Sequence, residues 1–252
     1  NQSRTKMLYV GANDGMLHGF DASTGEEKLA YVPATIFPNL HELTRTNYTH
    51  RYFVDETPTV GDAFFDNDWH TVLVGALGAG GQGLFALDIT NPDSFDASKV
   101  LWEFNAGDDV DLTDTDTSND ISDMGYSFSQ PMVVLTEKGW AVVVGNGYNS
   151  DSGIAKLLII YLGADPSDVN GWEKGVDYHK ISTGVGSPED KNGLSTPTAV
   201  DSNGDGYVDR VYAGDLKGNM WAFSLTGTDA NNWGVTYETD SIPQPLFQAK
   251  NA

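Results

Sequence analysis

The 252 residues carry 36 acidic against 14 basic side chains, a net charge of −22, and no cysteine. So negative a surface repels phosphate backbones and anionic lipid, which argues against nucleic acid and membrane surfaces as partners. Without cysteine there is no disulfide, no thiolate nucleophile and no Cys-ligated zinc or iron–sulfur centre.

The 28 glycines and the 39% hydrophobic content fit an all-β chain of many short strands joined by tight turns. No apolar run approaches the roughly 20 residues needed to span a bilayer. The longest, Ala155 to Leu162, is strand length and contains Lys156. The chain opens Asn-Gln-Ser-Arg, with no initiating Met and no signal peptide. An excised piece of a longer protein is therefore expected.

Taken in order, the strands repeat. The first, Met7-Leu-Tyr-Val-Gly11, has counterparts at Thr71-Val-Leu-Val-Gly75, Ala141-Val-Val-Val-Gly145 and Arg210-Val-Tyr-Ala-Gly214. Their closing glycines are spaced by 64, 70 and 69 residues. Ahead of the last three runs a Pro-led strand, starting at Pro58, Pro131 and Pro197. Proline as the first residue of a strand sacrifices no ladder hydrogen bond. A third strand follows in each unit: Gly15 to Asp21, Gly83 to Asp88, Lys156 to Tyr161 and Gly218 to Phe223. A fourth closes the unit at Val100 to Phe104, and in the last copy is placed at Pro245 to Gln248.

Four strands at this period read as propeller blades, each burying its faces against its neighbours. The expected fold is a modified, quinoprotein-like β-propeller of about three to four blades. These occupy approximately residues 1–50 (partial, lacking the Pro-led strand), 51–123, 124–190 and 191–252. A β-sandwich from the same strands is the competing architecture. Between strands, residues 41–53 have room for a short helix. Residues 166–188 read as a long insert, with Gly184-Val-Gly186 as a turn. Residues 105–123, with Asp108, Asp109, Asp111, Asp114, Asp116, Asp120 and Asp123, read as a solvated acidic surface loop rather than a second cation site.

One stretch carries chemistry. In Asp201-Ser-Asn203-Gly-Asp205-Gly206-Tyr207-Val-Asp209, oxygen ligands recur at positions 1, 3, 5 and 9, with glycine at position 6. That is how a loop wraps a hard cation such as Ca²⁺. Asp201, Asn203 and Asp205 would ligate through side chains, Tyr207 through its carbonyl, and Asp209 as the bidentate carboxylate. Position 12 is Tyr212, so an EF-hand is excluded. Short β segments on both sides make the loop a metal-closed hairpin. Mg²⁺ fits poorly, because it demands a small octahedral shell. The bland alternative is a polar turn, since Asp, Asn and Gly also dominate turns.

Other candidates are weaker. Gly78 to Gly83 lies between strands, with no helix and no Lys-Ser/Thr after it, so a tight hairpin is favoured over a phosphate loop. His18, His41, His50, His70 and His179 show no metal spacing. No Gly-x-Ser-x-Gly elbow is present. Trp69, Trp102, Trp140 and Trp221 lie on or beside strands and read as blade packing.

Several stretches together resemble the C-terminal propeller of the PilC/PilY family of type IV pilus-biogenesis and tip-adhesin proteins. They are Met7 to Glu26, Asp55 to Gly61, Val74 to Pro92, Gly125 to Pro131, and the Asp201–Asp209 loop with Gly214 to Trp221 after it. The resemblance implies a non-enzymatic module at the bacterial cell surface, on the pilus tip or associated with the outer membrane. Its partners would be pilins or minor pilins and host or surface receptors. Calcium in the Asp201–Asp209 loop would oppose pilus retraction and support extension, adhesion and twitching motility. Two other classes share features. A pyrroloquinoline-quinone dehydrogenase would use a propeller and calcium, but often with a vicinal cysteine pair that is absent here. An integrin-α-like propeller carries such loops in several blades, whereas one blade carries it here.

Overall fold

Four antiparallel sheets follow one another along the chain in the computed structural model, which describes residues 4–110, 121–167 and 171–250. The first has three strands, β1 (Met7–Gly11), β2 (Leu17–Asp21) and β3 (Glu27–Tyr31). The second has β4 (Thr59–Phe65), β5 (Asp68–Ala76), β6 (Gly83–Asp88) and β7 (Val100–Asn105). The third has β8 (Met132–Thr136), β9 (Gly139–Gly145), β10 (Ile154–Tyr161) and β11 (Tyr178–Gly186). The fourth begins β12 (Thr198–Val200), β13 (Arg210–Gly214) and β14 (Asn219–Ser224). Each strand pairs with the next in sequence, the meander of a propeller blade.

Period-two alternation decides which neighbour each side chain meets. On β5, Leu73 packs with Leu17, Leu29, Phe85 and Leu87 between the first and second blades. Val72 and Val74, one residue to either side, pack with Trp102, Val142, Leu158 and Ile160 between the second and third. On β9 and β10, Val143, Leu157 and Ile159 turn the other way and meet Val211, Trp221 and Phe223 of the fourth blade. The central strands are thus apolar on both faces. Leu157, Leu158, Ile159 and Ile160 are all fully buried, each contributing about 1.5–3 kcal/mol of burial. Such seams favour a propeller over a sandwich, because each blade serves two cores.

The structure departs from the expected elements in four places. Residues Gly184 to Gly186 are not a turn. They end β11, which pairs with β10 through an irregularity between Ile154 and Lys156 that absorbs the two glycines. The fourth position of the last blade is shared. β15 (Gly234–Val235) pairs with one end of β14, and β18 (Phe247–Gln248) with the other. Between them, β16 (Glu238–Thr239) and β17 (Ile242–Pro243) form a small hairpin. The helical segment of the first interblade connection is 3₁₀ and earlier than expected, spanning Ala34–Thr44. Trp69 packs at the rim rather than in a core: it is 58% exposed, with its ring edge-on to Phe64 and to Trp140 of the third blade, whereas Trp102 and Trp221 are buried.

The acidic run is also not simply solvated. Residues 111–120 lie outside the described residues, but the ends that flank them are interior. Asp109 is 0% and Asp123 2% exposed. Asp123 lies between Lys156 Nζ and Lys180 Nζ, each at 2.6 Å. Asp109 Oδ2 accepts from the Asp123 and Met124 amides, both at 2.7 Å. Lysines on β10 and β11 thus draw both acids inward, a long-range pairing that composition cannot reveal.

Candidate metal centre

The Asp201–Asp209 loop is the β12–β13 connection. The equivalent turn of the second blade is Asp66-Asn67, both at positive φ, and that of the third is the pair between Thr136 and Gly139. The loop is therefore an insertion into one hairpin. Its backbone is wound by its own side chains. Asp201 Oδ1 accepts from the Gly204 amide at 2.7 Å, and Oδ2 from the Gly206 amide at 2.8 Å. Asn203 Oδ1 accepts from Asp205 N and Asp205 Oδ1 from Tyr207 N, both at 2.9 Å. Gly204 and Gly206 sit at φ 81° and 94°, a region an L-residue enters only with strain.

Asp209 stands apart from the other four. It is 5% exposed. Its Oδ2 accepts from both the amide (2.7 Å) and the hydroxyl (2.6 Å) of Ser202, and its Oδ1 from Asn203 Nδ2 at 3.3 Å. The Ser202 hydroxyl and amide hold the Asp209 carboxyl below the usual range, and the Gly206 and Gly204 amides do the same for Asp201. Ser202 was not among the residues expected to matter. A hydroxyl directly after the first ligand is its only sequence signal.

The loop is tied into the blades at its far end. Val208 N donates to Leu135 O of β8 at 2.8 Å, crossing to the third blade. Asp209 N donates to Val200 O, and Leu225 N to Asp209 O. Val208 itself packs against the core between blades three and four.

The donor set fits a hard cation. Four side chains and the Tyr207 carbonyl offer only oxygen, at alternate residues of a wound backbone. The fit is in chemistry and winding rather than in a closed cage. Among the described residues, no three His, Asp or Glu side chains are gathered as a metal cluster. Asp201, Asp205 and Asp209 are instead each turned onto loop amides. The histidines, which show no metal spacing in the sequence, belong to no such cluster either. His18 lies between Asp14 and Glu27, and His70 meets Asp88.

Residues 1–240 match the family model described as the PilY1 beta-propeller domain. The chain belongs to the PilY1 β-propeller family. It is 47% identical over 237 residues to the type IV pilus biogenesis factor PilY1 of Pseudomonas aeruginosa (strain UCBPP-PA14), covering 91% of this chain and 18% of that protein. A PilY1 homolog of Xylella fastidiosa is 41% identical over 262 residues, covering 100% of this chain and 16% of that protein. The crystal structure of the Pseudomonas aeruginosa PilY1 C-terminal domain superimposes with a TM-score of 0.75 at 38% identity, over 100% of this chain and 47% of that one. The chain thus spans under a fifth of these PilY1 relatives and about half of the solved PilY1 domain. No helix among the described residues is long and apolar enough to cross a membrane.

Proposed function

We propose that this chain is the calcium-binding propeller of a type IV pilus biogenesis factor and adhesin, with Ca²⁺ held by Asp201, Asn203, Asp205, the Tyr207 carbonyl and Asp209. The observation that carries the reading is the wound oxygen-lined loop inserted into one blade hairpin of a PilY1-family propeller. When bound, the ion would supply the positive charge that balances the three carboxylates of the loop. The chain's residues do the rest. Asp201 folds the loop over itself, Ser202 orients Asp209, and the Val208–Leu135 bond makes the loop's conformation part of the seam between two blades.

In this reading the propeller acts at the bacterial surface or pilus tip. It works with pilins or minor pilins and with surface receptors, and it is a binding and regulatory module rather than an enzyme. Calcium occupancy shifts the balance toward pilus extension and against retraction, and so sets adhesion and twitching motility. The test is to place Asp209→Ala in the chromosomal gene. Surface pili and twitching are expected to lose their dependence on external calcium. Piliation and motility that respond to calcium as in the wild type would refute the regulatory role.

A further inference from the structure

At the end of the blades opposite the Asp201–Asp209 loop, two adjoining concavities of about 250 and 310 Å³ share Asn39, Gly80 and Tyr126. Together they form one groove. Its floor is the β5–β6 turn at Gly80, Gly81 and Gln82. One wall is the interblade connection around Asn39 and Arg51–Tyr52, and the other is Tyr126.

With 36 acidic residues in the chain, not one Asp or Glu lines either concavity, while Arg51 and His50 do. Donors are left over. Among the described residues the Arg51 guanidinium has no ion pair or side-chain hydrogen bond, and the Gly81 and Gln82 amides donate to nothing. Asn39 and the Tyr52 and Tyr126 hydroxyls are likewise unengaged there. The exposed rings of Tyr52 and Tyr126 flank the groove.

The walls are held in place without a ligand. Arg51 N donates to the Tyr48 hydroxyl, Phe53 N to Asn13 Oδ1, and Val54 N to Ala12 O. Tyr126 is bridged to Tyr148 through backbone bonds of 2.7 and 3.2 Å. A preformed concavity with a few convergent polar groups between aromatic faces is the general shape of a small-ligand site.

We infer that this groove binds an acidic sugar, a pyranose carrying a carboxylate of the uronic-acid type. Arg51 meets the carboxylate as a fork, the geometry in which guanidinium and carboxylate pair best. The free amides and the Asn39 side chain meet ring hydroxyls, and the tyrosine faces cover the apolar side of the ring. A peptide is the poorer occupant. An added strand needs a free sheet edge, and β6, which leads out of the floor, is paired on both sides by β5 and β7.

Titration calorimetry on the full chain tests this, with a tetrasaccharide of alternating glucuronic acid and N-acetylglucosamine. An uncharged N-acetylglucosamine tetramer and an acidic hexapeptide serve as comparators. The acidic tetrasaccharide is expected to bind at least about tenfold more tightly than the neutral one, the scale of one charge-assisted contact. Arg51→Gln should reduce it to the neutral level, and Tyr52→Ala should weaken both sugars. No heat from the acidic tetrasaccharide at millimolar concentration would overturn the assignment. So would an affinity unaltered by Arg51→Gln, or binding of the hexapeptide in place of the sugar.

Discussion

Asp109 and Asp123 show how residue-level electrostatics shape this propeller. They sit within hydrogen-bond reach yet titrate in opposite directions. Burial pushes the Asp109 carboxyl from 3.8 up to about 6, against the pull of Lys180 and helped by the charge of Asp123. Burial also raises Asp123, but the Lys180 and Lys156 ammonium groups outweigh it and hold it below the usual range. The fold therefore prefers Asp109 protonated. Its favourable contribution is complete below about pH 4 and is lost as pH rises through about 6. Asp123 behaves in reverse: its contribution is present above about pH 4 and is lost as pH falls through its depressed value. Asp109→Asn keeps an acceptor for the two amides and removes the buried charge. It is expected to raise stability at pH 8, by on the order of 2 kcal/mol, and to change little at pH 4. Urea denaturation at the two pH values measures this; equal effects at both would contradict it. Asp123→Ala removes the ion-pair partner that Lys156 and Lys180 share in the interior and is expected to cost about 3–5 kcal/mol. A loss under 1 kcal/mol in the same assay would show that the lysines find other partners.

At the scale of elements, the repeated strand-ending glycines are not equivalent. A Cβ on Gly145 would lie 2.4 Å from the Leu194 and Ser195 carbonyl oxygens, where the connection to the fourth blade passes against β9. On Gly214 the nearest atom would be 3.6 Å away, an ordinary contact. Gly145→Ala is therefore expected to lower stability by about 2 kcal/mol or more, because backbone must move. Gly214→Ala should stay within about 0.5 kcal/mol. Thermal melts of the two variants compare them directly, and equal losses would contradict the packing argument.

The same elements show what the sequence could and could not convey. Strands such as Ala141 to Gly145 announce themselves because both faces are apolar and a glycine closes each copy. The Asp201–Asp209 loop is legible because its donors lie within nine residues and wind the backbone locally. β11 was hidden because Gly184 and Gly186 look like a turn unless the partner strand is known. β15 and β18 are two residues each, too short to carry a pattern. The burial of Asp109 and Asp123 depends on lysines more than 30 residues away along the chain, and the acid-free groove joins segments from three blades. Such features exist only once the blades are stacked.

For the whole molecule, stacking blades makes the Asp201–Asp209 loop matter beyond its own hairpin. Through Val208 it meets β8, and Gly227 N donates to Glu137 Oε1 across the same seam at 2.8 Å. Anything that fixes the loop stabilises the junction between the third and fourth blades. Calcium at 100 times its dissociation constant is expected to add about 2.7 kcal/mol to stability. The most direct measurement is calcium titration calorimetry on the wild-type chain and on Asp209→Ala, with circular dichroism confirming that both are folded. One site in the wild type with a dissociation constant of about 10⁻⁴–10⁻³ M, missing from Asp209→Ala, is the predicted result. No calcium heat at millimolar concentration, or an isotherm that Asp209→Ala leaves unchanged, would contradict it.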